Sequence, residues 1–333
     1  MRWLILTDDH PPMVGGIATF VARLARGLVD RGDQVEIVAR AGAEPVPGTR
    51  LIAARGPRFG RYAGRWLALA AGSRLFSADR IVATTWVAAT TASRLGRPLA
   101  ILAHGSDVTR PPVRAHATFL RTWRAACQRF AVSDFLVERL REHHLTARRL
   151  PWPVDPLACP PPPRQRHSRW AFVGRLTPLK GVDRFVRWVA AAGVQGVVVG
   201  HGKAMGPTVA LARQLRADVQ FLGRVSLTEV QTLWPEVDLL VLAPRADPDG
   251  SGAEGLGTVL LEAAAHGVPS VGCATGGVPE GAGLIVGGPD DAAASVREID
   301  RWWTPMRGRE AWERCRERHG TAKTLAALDD RAP

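Results

Sequence analysis

Short apolar runs alternate with helix-length segments along both halves of this chain, and a proline-rich break separates the halves. In the first half, Leu4–Thr7, Val35–Ala39, Arg80–Thr84, Leu99–Ala103 and Phe130–Val132 read as short strands, and Gly15–Arg31 reads as a helix stopped by Gly32. In the second, Trp170–Val173, Val194–Val199, Val219–Leu222, Leu239–Ala243, Ser270–Cys273 and Gly283–Val286 read as strands. Helices are expected over Val182–Ala191, Leu227–Trp234 and the run after Gly257. Strands this apolar suit burial on both faces, and strand–helix alternation argues for crossovers that leave neighbouring strands parallel. The expected fold class is therefore α/β, with two doubly wound, Rossmann-like domains. The break runs from Pro151-Trp-Pro-Val-Asp155 to Pro160-Pro-Pro-Pro163 and predicts a first domain over 1–160 and a second over 161–333. A length of 333 residues suits two cores. Arg309–Leu328 carries many charges and reads as helical.

The net charge of +13 is unevenly placed. Residues 1–165 carry 24 Arg against 12 Asp and Glu, whereas residues 166–333 carry 20 Arg and Lys against 19 Asp and Glu. An anionic partner for the first half would account for the excess: a membrane surface, a phosphorylated acceptor or, third, nucleic acid. Arg-rich coding bias on a solvated surface would account for it equally, and both readings stand. In Arg55-Gly-Pro-Arg58-Phe-Gly-Arg61-Tyr-Ala-Gly-Arg65-Trp66, arginines are spaced among aromatic rings. That pattern suits an anionic bilayer or acceptor, or a loop leading into a core helix. The arginines are otherwise scattered and no nucleic-acid module is recognisable, which counts against a nucleic-acid partner. The four cysteines are far apart and form no CxxC pair, as expected of reduced thiols in a cytoplasm. No signal peptide is recognisable, and no stretch approaches the roughly 18 uninterrupted apolar residues of a membrane span. The expectation is a cytoplasmic protein, peripheral at the inner face of the plasma membrane if its basic half binds lipid.

Chemistry concentrates in Gly252-Ala-Glu254-Gly255-Leu256-Gly257-Thr-Val-Leu-Leu-Glu262-Ala-Ala-Ala-His-Gly267-Val-Pro269. One carboxylate lies in a glycine-rich loop and the other eight positions on, inside an apolar run that reads as a helix starting near Leu256. That spacing is roughly 12 Å of helical rise. The glycines leave backbone N–H groups uncovered at a helix N-terminus, where the dipole favours phosphate. Two hydroxyl-binding carboxylates with an anion site between them match the layout of a nucleotide sugar: sugar, diphosphate, ribose. In Phe172-Val-Gly174-Arg175-Leu-Thr-Pro-Leu-Lys180-Gly181, a glycine turn after a strand presents two cations suited to a diphosphate leaving group. Gly15 and Gly16 open a helix after the first strand and would let backbone approach a ligand. Ala103-His104-Gly105-Ser106-Asp107 sits at a strand end, and Asp107 either orients His104 or caps the next helix. Ser133 reads as a helix N-cap. Asp247-Pro-Asp249 looks like an acidic metal triplet but is read as a loop.

Taken together, the Glu254…Glu262 spacing, Gly267-Val-Pro269 and Gly276-Gly-Val-Pro-Glu280 resemble the signature of the retaining glycosyltransferases of family 4 (group 1), which have the GT-B fold. The resemblance implies two Rossmann-like domains with parallel sheets facing a central cleft, the first binding acceptor and the second the nucleotide sugar, with the last helix crossing back. It implies Arg175 and Lys180 on the diphosphate, Glu254 on hydroxyls of the donor sugar, Glu262 on the ribose, and His104 near the reacting carbon. Gly15, Gly16, Gly174, Gly202, Leu222, Gly255, Leu256 and Gly257 would complete the donor site, and Asp9, His10 and Asp107 would face the acceptor. Transfer would proceed with retention, without a metal, cofactor or protein nucleophile, to an anionic lipid or polyol, an envelope glycan precursor or a specialised metabolite. The family normally has a longer segment after the Gly276–Glu280 motif, where this chain passes directly to Leu284-Ile-Val286. Two alternatives are a nucleotide-sugar epimerase of the same fold and a basic nucleic-acid- or membrane-binding protein. A dinucleotide oxidoreductase is disfavoured because no GxGxxG follows the first strand.

Overall fold

The computed structural model describes residues 1–13, 15–54, 77–109, 116–165, 167–247 and 252–330. The arginine–aromatic stretch after Arg55 and Asp249 lie outside the described residues. The chain forms two compact units: Met1–Pro153 with His319–Pro333, and Val154–Arg318.

The first unit is built on strands β1 (Arg2–Leu6), β2 (Gln34–Arg40), β3 (Arg50–Ala54), β4 (Arg80–Ala83), β5 (Leu99–Ala103), β6 (Gln128–Ala131) and β7 (Arg148–Arg149). They lie in the order β3-β2-β1-β4-β5-β6-β7, each pair parallel. Every residue of β5 is buried, as helices on both faces require. The helix Gly16–Asp30 turns Phe20, Val21, Leu24, Ala25 and Leu28 inward at three- and four-residue steps.

The second unit carries β8 (Arg169–Val173), β9 (Gln195–Val199), β10 (Val219–Gly223), β11 (Leu239–Leu242), β12 (Ser270–Cys273) and β13 (Leu284–Val286). Their order is β10-β9-β8-β11-β12-β13, again all parallel. Trp170, Phe172, Phe185, Trp188 and Trp234 fill its core. In each sheet the winding reverses once, between β1 and β4 and between β8 and β11. Open parallel sheets of this kind offer a crevice at that reversal, outside the carboxyl ends of the strands.

Departures from the sequence reading include two strands and a helix read as continuous. β3 and β7 were not expected; β7 is only Arg148–Arg149, half-buried and lacking any apolar signature. The single helix expected over Arg309–Leu328 is two helices, Arg307–Arg318 and Thr321–Asp329, separated at Gly320, whose φ of 124° no continuous helix accommodates. The first of these belongs to the second unit, where Trp312 Nε1 donates to Leu157 O (3.0 Å). The other packs on Gly16–Asp30 in the first unit, burying Thr324, Leu325 and Leu328.

Gly181 closes the loop after β8 at φ 72°, and a Cβ there would overlap the Ala243 carbonyl just after β11. A Gly181→Ala substitution therefore faces backbone that cannot yield as well as an unfavourable φ. It is expected to destabilise the second unit by about 2 kcal/mol or more, measured as a lower midpoint in thermal or urea unfolding.

Candidate active site

The second-unit residues singled out in the sequence converge at the carboxyl edge of its sheet. Gly174, Arg175 and Lys180 follow β8, Gly202 follows β9, Leu222 is at the end of β10, and Glu254 to Gly257 follow β11. Glu262 is half-buried in the next helix, Thr258–Ala265. That helix begins two residues later than expected, because Gly257 adopts a left-handed φ of 72° and makes the turn into it.

Missing Cβ atoms let these loops touch backbone to backbone. A Cβ on Gly200 would overlap the Gly174 carbonyl, and one on Gly202 the Leu176 carbonyl. Gly276 and Gly277 lie equally close to the carbonyls of Glu254 and Gly255, and Gly277 N–H donates to Glu254 O (2.9 Å). Gly174 N–H donates to Val199 O (3.0 Å) and Gly200 N–H to Gly223 O (2.7 Å), lacing three loops together. Within this frame the Lys180 ammonium donates to the Glu254 carboxylate. Arg175 is exposed and makes no side-chain hydrogen bond or ion pair among the described residues.

Four charged residues were missed. Arg184 forms a bidentate pair with Asp290 (2.8 and 2.7 Å) and also donates to the carbonyls of Ala243 (3.2 Å) and Pro244 (3.0 Å). Arg245 forms a second bidentate pair with Asp183 (2.7 and 2.8 Å). Burial works to raise the Asp183 pKa, but the hydrogen bond and charge of Arg245 outweigh it and hold the carboxyl below its usual range. The Arg184 hydrogen bond does the same for Asp290. These pairs anchor the chain as it leaves β11 toward Glu254. Arg184 and Asp290 are 106 positions apart, beyond the reach of any local motif.

In the first unit, the residues after β1, β4 and β5 gather at the corresponding edge. Thr84 Oγ1 donates to Thr7 Oγ1 (2.9 Å), and Thr7 Oγ1 donates to Asp9 O (2.7 Å), fixing the chain as it leaves β1. Asp9 itself is half-exposed. Asp8, which sequence reasoning passed over, is the buried carboxyl. Burial raises its pKa, opposed by the Arg40 guanidinium 3.6 Å away. His10 is 2 % exposed, and its Nδ1 meets Pro11 O at 3.0 Å. Burial lowers its pKa. Gly16 begins the first helix after Gly15. Asp107 lies in the short helix Ser106–Thr109. Ser133 caps the helix Asp134–Glu142 by accepting from Leu136 N–H (3.2 Å).

His104 follows β5 and meets two aromatic rings edge-on, Phe20 at 5.2 Å and Trp152 at 6.1 Å between centroids. Lost hydration drops its pKa to about 3, so the imidazole is neutral at physiological pH. The unfolded chain takes up this proton near pH 6.5. Between those values the unfolded state binds more protons, so stability falls as pH drops from 7 toward 3. His104→Gln is expected to lose less stability over that range, measured by urea unfolding at stepped pH.

Among the described residues, no group of three or more His, Cys, Asp or Glu side chains could hold a metal ion. Comparison with known proteins bears on both units. The family model described as glycosyl transferases group 1 matches residues 167–304, and that of glycosyltransferase family 4 matches residues 14–156. A GDP-mannose-dependent alpha-(1-6)-phosphatidylinositol monomannoside mannosyltransferase of Mycobacterium tuberculosis is 27% identical over 346 aligned positions, covering 90% of this chain and 89% of its own. The GDP-mannose-dependent monoacylated alpha-(1-6)-phosphatidylinositol monomannoside mannosyltransferase of Corynebacterium glutamicum is 32% identical over 142 residues. That alignment spans 40% of this chain and 37% of the relative. HepE of Anabaena, solved with UDP and glucose, superposes with a TM-score of 0.73 at 18% identity over 98% of both chains. WaaG, a glycosyltransferase involved in lipopolysaccharide biosynthesis, superposes with a TM-score of 0.71 at 18% identity over the same share of each. With a family model matched on each half and the fold shared along its length, the chain belongs to the group 1 glycosyltransferases of GT-B fold.

Proposed function

We propose that the chain transfers mannose from GDP-mannose, with net retention at the anomeric carbon, to a hydroxyl of an inositol-containing phospholipid or phosphorylated polyol. The observation that carries the reading is the meeting of Lys180 with Glu254 where the β8 and β11 loops converge. A cation suited to a diphosphate and a carboxylate suited to sugar hydroxyls come together from loops 74 positions apart. The choice of donor and acceptor rests on the mycobacterial relative, which aligns over 90% of this chain, and on the basic excess of residues 1–165.

In this reading Arg175 and Lys180 hold the diphosphate and stabilise its charge as it departs. Lys180 exchanges Glu254 for phosphate, and Glu254 turns to hydroxyls of the sugar. Glu262 takes the ribose, and the N–H groups of Gly255 to Gly257 meet phosphate or sugar. Neutral His104 contacts the sugar near the reacting carbon, while Asp9, His10 and Asp107 face the acceptor. No side chain is assigned as nucleophile and no metal is required. The departing phosphate accepts the proton of the attacking hydroxyl, and the protein's contribution is positioning and charge stabilisation. No helix among the described residues is long and apolar enough to cross a membrane; a lipid acceptor would be met from the membrane surface.

The test is thermal stabilisation by GDP, UDP, ADP and dTDP and their hexose forms, followed by transfer from the selected donor to inositol lipids and inositol phosphate. GDP and GDP-mannose should stabilise selectively, and the glycosidic linkage read by NMR should retain the donor's anomeric configuration. Lys180→Met, Arg175→Ala and Glu254→Gln should each lower kcat by about 100-fold, and Glu262→Ala should chiefly weaken nucleotide binding, by about tenfold. Indifference to every nucleoside diphosphate would overturn the reading.

A further inference from the structure

The chain passes between the two units twice, at Pro153–Val154 and at Arg318–His319. On the first-unit side these two passages are bonded to each other. Trp152 N–H donates to Nδ1 of His319 (3.0 Å), and Trp152 O accepts from Gly320 N–H (3.0 Å). One residue back, Pro151 O accepts from Thr324 Oγ1 (2.8 Å). Trp152, His319 and Thr324 are 1%, 3% and 0% exposed, so these bonds are shielded from competing water. Because Trp152 supplies the hydrogen, Nδ1 of His319 is the unprotonated ring nitrogen.

The indole of Trp152 lies between this tie and His104. Its ring is 5.3 Å from Phe20 and 6.1 Å from His104, and Phe20 is 5.2 Å from His104, so three rings form one triangle. The indole N–H makes no hydrogen bond among the described residues. Ring shape and the main-chain tie, and not a side-chain hydrogen bond, hold Trp152 in place. The imidazole of His104 therefore rests on a residue whose own position is set by the returning C-terminal segment.

We infer that Trp152 is a positioning residue: the tie to His319 and Gly320 holds its ring against His104 and thereby sets where the imidazole stands for sugar transfer. The catalytic part of this inference rests on the role proposed for His104; the mechanical part does not.

Four variants test it: His319→Asn, which retains an acceptor, His319→Leu, which does not, Trp152→Phe and Trp152→Leu. Circular dichroism checks that each is folded. The first readout is the His104 imidazole signals in histidine-labelled protein without ligand. Displaced signals in His319→Leu and Trp152→Leu, with near wild-type positions in His319→Asn, are the expected result. The second is kinetic: kcat should fall at least tenfold in the two leucine variants while nucleotide affinity stays within twofold. His319→Asn and Trp152→Phe should stay within threefold of wild-type kcat. Unmoved His104 signals in folded His319→Leu would overturn the tie. Moved signals with unchanged kcat would overturn its service to the reaction, as would equal losses in the asparagine and leucine variants. If Trp152→Leu and His319→Leu fail to fold, His319→Ala, which likewise removes the acceptor of the Trp152 N–H, carries both readouts, and unmoved His104 signals there overturn the inference. A wild-type protein that transfers no sugar overturns the proposed activity and leaves the signal readout intact.

Discussion

Close approach of backbone to backbone is the constraint on which the second unit's site depends. Five loops leave the carboxyl ends of adjacent parallel strands, β10, β9, β8, β11 and β12, and each must come near its neighbour without excluding it. Side chains at Gly181, Gly200, Gly202, Gly276 or Gly277 would collide with main-chain carbonyls of the facing loop, so these positions have no substitute of comparable size. The hydrogen bonds that lace β8, β9 and β10 at their exits need the same proximity. Lys180 and Glu254 meet because the loops that bear them have already been brought together this way. The Arg184–Asp290 and Arg245–Asp183 pairs then fix the direction in which the β11 loop departs.

The strands most legible in the sequence were those buried on both faces, such as Leu99–Ala103 and Leu239–Leu242, because burial on two sides leaves an unbroken apolar run. Arg148–Arg149 was illegible for the opposite reason: an edge strand of two charged residues carries no periodicity. The interruption at Gly320 was hidden by helix-forming residues on both sides, although the glycine itself was in plain view. For the candidate site, co-location at the sheet edge could be anticipated because each motif follows a strand. What could not be anticipated were partners distant in the chain: Asp290 for Arg184, or Phe20 and Trp152 around His104. Trp152 had drawn attention only as part of a proline-rich break. Asp8 was overlooked in favour of Asp9: both lie beyond the end of β1, where no alternation marks which of the two is buried.

Each unit handles charge differently. In the second, paired guanidinium and carboxylate groups hold the β11 loop, and the Lys180–Glu254 pair keeps two site charges mutually compensated. In the first, Asp8 and His10 at the sheet edge are buried, while Asp9 and His104 are partly exposed. Burial favours the protonated carboxyl of Asp8 and the neutral imidazoles of His10 and His104.

The second unit is, in topology, an insertion: it lies between Pro153 and His319 of the first. During synthesis from the N-terminus the first sheet can pair all its strands long before its last helix exists. Arg80 and Gln128 both donate to Leu328 O, Arg148 pairs with Asp330, and Gly27 faces Thr321 where the returning helix crosses Gly16–Asp30. Until those residues leave the ribosome, the surface of Gly16–Asp30 around Gly27 lacks its cover, and Trp152 has neither His319 nor Gly320 to hold it. The unit begun first is thus completed last, after the whole inserted unit has been made, so a nascent chain passes through a stage in which its first sheet is formed but Gly16–Asp30 lacks the helix that packs on it.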